Sequence, residues 1–207
     1  MYAPLFASLS AWTLGLIPAF GSGRSGPVPG PSLPEQREKT VRLPMDPDNA
    51  PSSLFLPAGP GPHPAVLLDA SDRATNLRAE AHRFASIGIA AFFRDADDDG
   101  ALDPLTEVVA RADYLRDRLD INPYELGALC VGEPAPGWLD AIAMRGAAFL
   151  IRVTVLPSGL AYPGVVRESV GPGGAPLLDV LARTSPLEPE VTRLVDGWLL
   201  RHVTIRA

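Results

Sequence analysis

The chain has one cysteine, Cys130, and only three histidines, His63, His82 and His202, in 207 residues. A single cysteine excludes a disulfide framework and any zinc site built on cysteine. The shortage of histidine matters more, because hydrolytic chemistry near neutral pH draws on a placed imidazole. Basic residues are also outnumbered: 18 Lys and Arg stand against 24 Asp and Glu, a net charge of −6. No basic stripe is present, so neither nucleic acid nor an anionic membrane surface is an expected partner. Residues 1–20, MYAPLFASLSAWTLGLIPAF, carry no charge, but they lack the basic start of a secretory signal, and Pro4 and Pro18 interrupt any helix. The stretch barely reaches bilayer length, and Ser8, Ser10 and Thr13 dilute it. Two readings stay open for it: a loose or ordered N-terminal segment, or an export signal with membrane contact. The first is preferred, and with it a cytoplasmic location over an exported one.

Apolar residues make up 46% of the chain and charged residues 20%, which excludes wholesale disorder. The 23 prolines and 19 glycines follow no G-x-y period, so collagen is excluded and a loop-rich domain expected. Residues 21–37 are rich in Gly, Ser and Pro and read as a linker, leaving 38–207 as the folded domain.

Within that domain, 39–43 and 53–57 suggest two short antiparallel strands. Continuous apolar runs at 65–68, 89–93, 125–131, 149–155 and 175–182 suggest strands buried on both faces. Helices are expected at 74–86, 104–119, 137–145 and 188–201, and a last strand at 202–207. The second helix places Leu105, Val108, Val109, Ala112, Leu115 and Leu119 on one face, with Asp103 as its cap and Pro104 at its first position. Residues 156–175 read as a short connection. The alternation predicts an α/β fold, a mostly parallel sheet with helices on both faces. Trp138 and Trp198 fall on helices and are expected in the core.

Three segments carry a resemblance. LFLPAGPGPHPAVLL resembles the entry into the first long parallel strand of the α/β-hydrolase superfamily, in its dienelactone-hydrolase and acyl-CoA-thioesterase-like branch. INPYELGALCVGEPAPGW resembles the segment leading to that family's nucleophile elbow, and GAPLLDVLARTSPLEPEV the strand and turn carrying its acid. The resemblance implies a single α/β-hydrolase-like domain with little or no lid. It also implies where the chemistry should be, and each such position is altered. A G-x-S-x-G elbow holds its nucleophile on a strained strand-to-helix turn whose next N–H helps form an oxyanion hole. Gap-free alignment puts Gly132 at the nucleophile, with Cys130 and Pro134 at the flanking glycines. Asp69-Ala70 replaces the family's His-Gly, and Ser185 holds the acid's place. The chain stops at Ala207, inside the expected last strand, so the resemblance implies a fold truncated before its catalytic histidine.

A two-residue shift gives a rival alignment in which Cys130 stands at the apex of A-x-C-x-G. A thiolate there would be a good nucleophile, given a base or a lowered pKa; the plainer alternative is a buried thiol in an apolar strand. Glu133 is a candidate catalytic carboxylate, or else a residue facing the dipole of the next helix. Asp69, Ala70, Ser71 and Glu133 would line the ligand crevice, and Arg183 could meet an anion there or simply be a surface residue.

The loop Asp95-Ala-Asp97-Asp-Asp99-Gly100 matches the opening of a calcium loop, with Asp103 at a later ligand position. Thr106 stands where the bidentate Glu should be, and a strand precedes the loop where a helix should. No cofactor is therefore expected, calcium being the one candidate.

Two functions are carried forward. One is a catalytically degenerate hydrolase homologue, a pseudoenzyme that binds a small hydrophobic or acyl ligand in the crevice without a triad. The other is a hydrolase or thioesterase acting on a small ester, lactone or acyl thioester through Cys130. A truncated product without selected activity is a weaker third.

Overall fold

The structure is a computed structural model and describes residues 35–44, 50–71, 76–95, 103–155, 166–182 and 189–203. The apolar N-terminal stretch and most of the linker lie outside these residues, as do Arg183, Ser185, Asp97 and Asp99.

Eight strands form one sheet among the described residues: β1 (Arg37–Arg42), β2 (Pro51–Leu56), β3 (His63–Ala70), β4 (Ala90–Arg94), β5 (Ile121–Val131), β6 (Phe149–Val155), β7 (Val166–Val170) and β8 (Pro176–Ala182). Their order is β1-β2-β4-β3-β5-β6-β8-β7. The five central strands run parallel; β1, β2 and β7 are antiparallel to their neighbours. Four helices accompany them among the described residues: α1 (Leu77–Ser86), α2 (Pro104–Arg116), α3 (Trp138–Met144) and α4 (Pro189–His202).

Side chains alternate between two cores, as a twofold strand period requires. Leu129, Val131, Ile151, Val153, Leu178 and Val180 face α1 and α4, meeting Phe84, Val195 and Trp198. Ala128, Cys130, Leu150 and Leu177 face the other way, toward α2 and α3, with Val108, Leu115, Trp138 and Ile142. Both expected tryptophans are thus in the core, each almost fully buried. Arg83 fastens α1 to α4, pairing with Glu80 on its own helix and with Asp196 on the other.

Local chemistry explains the helix ends. The Asp103 carboxylate accepts the Thr106 N–H at 3.1 Å and Pro104 opens α2, as expected. Gly88, at φ +90°, lets the chain leave α1. Three expectations need correction. The second helix ends at Arg116, not 119; Arg118 folds back onto Asp120 and the Tyr114 hydroxyl, and Leu119 is 98% exposed. The connection at 156–175 contains β7, which reaches β8 through a 3-10 turn at Pro172–Gly174 where Gly173 and Gly174 have positive φ. His202 closes α4 rather than opening a strand; residues 204–207 lie outside the described residues.

The strand order reverses at β3. From it the chain moves outward to β4, then crosses back to β5 on β3's other side. The carboxyl ends of β3 and β5 therefore face each other across the switch point of the sheet, the place where open α/β sheets hold ligands.

Candidate functional site

The carboxyl end of β3 presents Asp69 and Ala70, both half-buried, then the exposed Ser71. The carboxyl end of β5 presents Val131, then Gly132 at φ +92°. Six residues, 132–137, separate that strand from α3, so the turn is longer than an abrupt elbow. Glycine suits the positive φ but offers no side chain to the crevice. Glu133 is exposed beside it.

The N–H groups at this turn are already bonded. Ser71 donates its N–H to Val131 O at 3.0 Å, and Gly132 donates to Val153 O at 2.7 Å. The Glu133 N–H, one residue past the apex, donates to Ser71 Oγ at 2.9 Å. In the alignment with Gly132 at the apex, that last N–H is the one an oxyanion hole would present. Here the Ser71 hydroxyl takes it.

Cys130 lies two residues before the turn, inside β5 and fully buried. Its thiol is pushed up to about 12, chiefly by burial and secondarily by the Asp69 carboxylate, with the Arg152 guanidinium opposing. A thiol so placed keeps its proton at neutral pH. The histidines lie elsewhere. His63 opens β3, at the opposite end of the strands, and its buried imidazole is held below its ordinary pKa by desolvation, partly offset by Asp120. His82 is on α1, bonded through Nδ1 to Gln36 Oε1 at 3.1 Å and edge-on to Phe55. His202 rests on the Trp198 ring, 4.4 Å between centroids, beside a cavity of about 380 Å³ between α4 and β7.

The two described ends of the acidic loop have other duties. Asp95 accepts from Ser53 Oγ at 2.5 Å and pairs with Arg78 at 2.9 Å; Asp103 caps α2. No cluster of three or more metal-ligating side chains occurs among the described residues, and no described helix is long and apolar enough to cross a membrane.

One arrangement was not anticipated. Strand register puts Asp69, Cys130, Arg152, Asp179 and Arg167 side by side on β3, β5, β6, β8 and β7, a polar row across one face of the sheet. Arg152 Nε donates to Asp179 Oδ1 at 2.7 Å. Beyond them on the same face stand Thr154 and Leu181, and a cavity of about 180 Å³ opens beside Arg152, Thr154, Arg167 and Asp179. The available sequence signal was the alternation itself: Arg152 and Thr154 recur every second residue in a strand that otherwise reads as apolar.

No family model matches the chain, and no curated protein does. Solved structures do. An α/β-hydrolase enzyme from a Medee basin deep-sea metagenome library superposes with a TM-score of 0.54 at 13% identity, covering 82% of this chain and 98% of that one. A hypothetical protein from Pseudomonas aeruginosa (TM-score 0.45, 16% identity, 57% of this chain) and the 2,6-dihydroxy-pseudo-oxynicotine hydrolase (0.41, 22%, 57%) are also similar. This chain spans only 42% and 36% of the length of those two proteins. At these identities the likeness concerns architecture: the chain has an α/β-hydrolase fold, as the resemblance implied.

Proposed function

We propose that this α/β-hydrolase-fold protein is a binding or accessory protein that works without the fold's hydrolytic chemistry. The hydrogen bond from the Glu133 N–H to Ser71 Oγ carries this reading. It occupies the donor that should stabilise a tetrahedral oxyanion, a group whose removal costs an acyl-transfer enzyme about 10²–10³ in rate. The absence of a side chain at Gly132 supports the same reading. The cysteine alternative is weakened by burial: a nucleophile needs an acyl carbon within about 3–3.5 Å, and Cys130 is fully covered.

The test uses 4-nitrophenyl acetate and butyrate, with intact-mass analysis after exposure. The expected result is no turnover above buffer and no acyl adduct. Stoichiometric acylation at Cys130, abolished in Cys130→Ser, would establish the thiol-hydrolase reading instead.

A further inference from the structure

We propose that the cavity on the β6–β8–β7 face binds a small anion, a carboxylate or phosphate group, between Arg152 and Arg167. Over most of this face the sheet is covered by α2 and α3, and its side chains are apolar as far as Leu150 and Leu177. One step further along the same strands come Arg152 and Asp179, then Thr154 and Leu181. The change from apolar to charged falls where the two strands begin to line the cavity.

Among the described residues that line it, the charges do not balance. Two guanidiniums face one carboxylate. Asp179 is half-buried and engaged by Arg152 through Nε alone. The terminal amino groups of Arg152 have no hydrogen-bond partner among the described residues. Arg167 stands directly opposite Asp179 in the β7–β8 ladder, yet it makes no ion pair with it or with any other described residue. Among the described residues, one unit of positive charge and most of two guanidinium forks stand at the cavity without a partner, in a chain whose net charge is −6. Guanidinium forks match the oxygens of carboxylate and phosphate in pairs, and Thr154 adds a hydroxyl at the edge. Size narrows the ligand further. At about 180 Å³ the cavity is smaller than the roughly 300–1,000 Å³ typical of drug-sized or cofactor ligands. It admits a phosphate or a short-chain acid.

This site deepens the binding reading above, and the two fail separately. Ester turnover would end that reading without touching this site. Absent anion binding would end this proposal and leave the turn after β5 unchanged.

The experiment is calorimetric titration of the full chain at low ionic strength, with inorganic phosphate in one arm and butyrate in the other. One saturable site is expected in at least one arm, and the stronger arm identifies the head group. Arg167→Gln changes an exposed side chain and should fold normally; it should weaken binding about tenfold or more, the loss of a charge-assisted hydrogen bond. Asp179→Asn removes the competing carboxylate and should tighten binding about three- to tenfold. A purely structural charge row makes the opposite prediction for Asp179→Asn, since Arg152 would lose its anchor. The proposal is overturned if neither anion saturates below about 10 mM, if Arg167→Gln binds unchanged, or if Asp179→Asn binds more weakly.

Discussion

Two places in this sheet lie one to three strands apart and treat their hydrogen-bond donors in opposite ways. At the turns after β3 and β5, the N–H groups of Ser71, Gly132 and Glu133 all have acceptors inside the protein. On the face of β6, β8 and β7, Asp179 pairs with Arg152 alone, and Arg167 opposite it has no ion-pair partner among the described residues. A preorganised site keeps unsatisfied polarity aimed at an absent ligand; a structural turn spends it internally. That contrast is what the two proposals rest on: a turn after β5 that serves structure, and a ligand site toward the sheet's edge.

The largest effect that could break this contrast concerns Cys130. If the turn is closed, the thiol should react with a maleimide or an aromatic disulfide only through opening of the sheet. Its native rate at pH 8 should then be at least about 10³-fold below that of the urea-unfolded chain, since core opening costs several kcal/mol. Reaction within a few-fold of the unfolded rate would place the thiol in an open crevice.

Gly132→Ser is a sharper probe. It puts a hydroxyl at the apex position but forces an L-residue to φ near +92°, at a cost of about 1–3 kcal/mol in denaturant unfolding. No ester hydrolysis should appear, even when Ser71→Ala is added to release the Glu133 N–H. Measurable turnover in the double variant would mean that only the missing side chain and the diverted donor separate this turn from a working elbow. Ser71→Ala alone should cost about 1 kcal/mol, the usual worth of one intramolecular hydrogen bond.

The amino end of the strands provides a control with a smaller, pH-dependent effect. His63 is held below its ordinary pKa, chiefly by burial, so the unfolded chain takes up the proton first. Stability is complete above about pH 6.5 and declines as the pH falls from there toward the folded value. Asp120 is held below the usual carboxylate range, mainly by its hydrogen bonds from Arg118, and its contribution is lost only at lower pH, as it protonates. Unfolding midpoints in urea at pH 7.5 and 5.5 should differ in the wild type and converge in His63→Phe. An equal pH dependence in both proteins would move the titration to another group.

The parts of the fold legible in the residues are those where one pattern had one physical cause. FLIRVTV is a strand with the expected bounds because Phe149, Leu150 and Ile151 are buried on both faces and Val153 continues one of them. VRESV was missed as a strand for the converse reason. As an edge strand it has neighbours on one side only, and its charges blunt the free edge instead of filling a core. Leu119 fitted the helical period, but no periodicity reports that Arg118 turns back to Asp120. For the candidate site, the residue types were legible and their partners were not. Gly132 announced a missing nucleophile, whereas the bond between Ser71 and Glu133 joins residues 62 apart in the chain. The charge row needs the register of four strand pairs before it exists at all.

That row also bears on how the sheet assembles. A slip of two residues keeps every side chain on its own face, so the twofold period alone does not forbid it. Arg152 and Asp179 remove that freedom from β6 and β8. Moving β8 by two residues in one direction would set Asp179 beside Leu150, at the edge of the apolar core; in the other it would set Leu177 beside Arg152. Either slip separates the ion pair and brings a charge against apolar neighbours. The pair thus serves as an alignment mark for the one neighbouring pair of parallel strands whose connecting chain also forms β7.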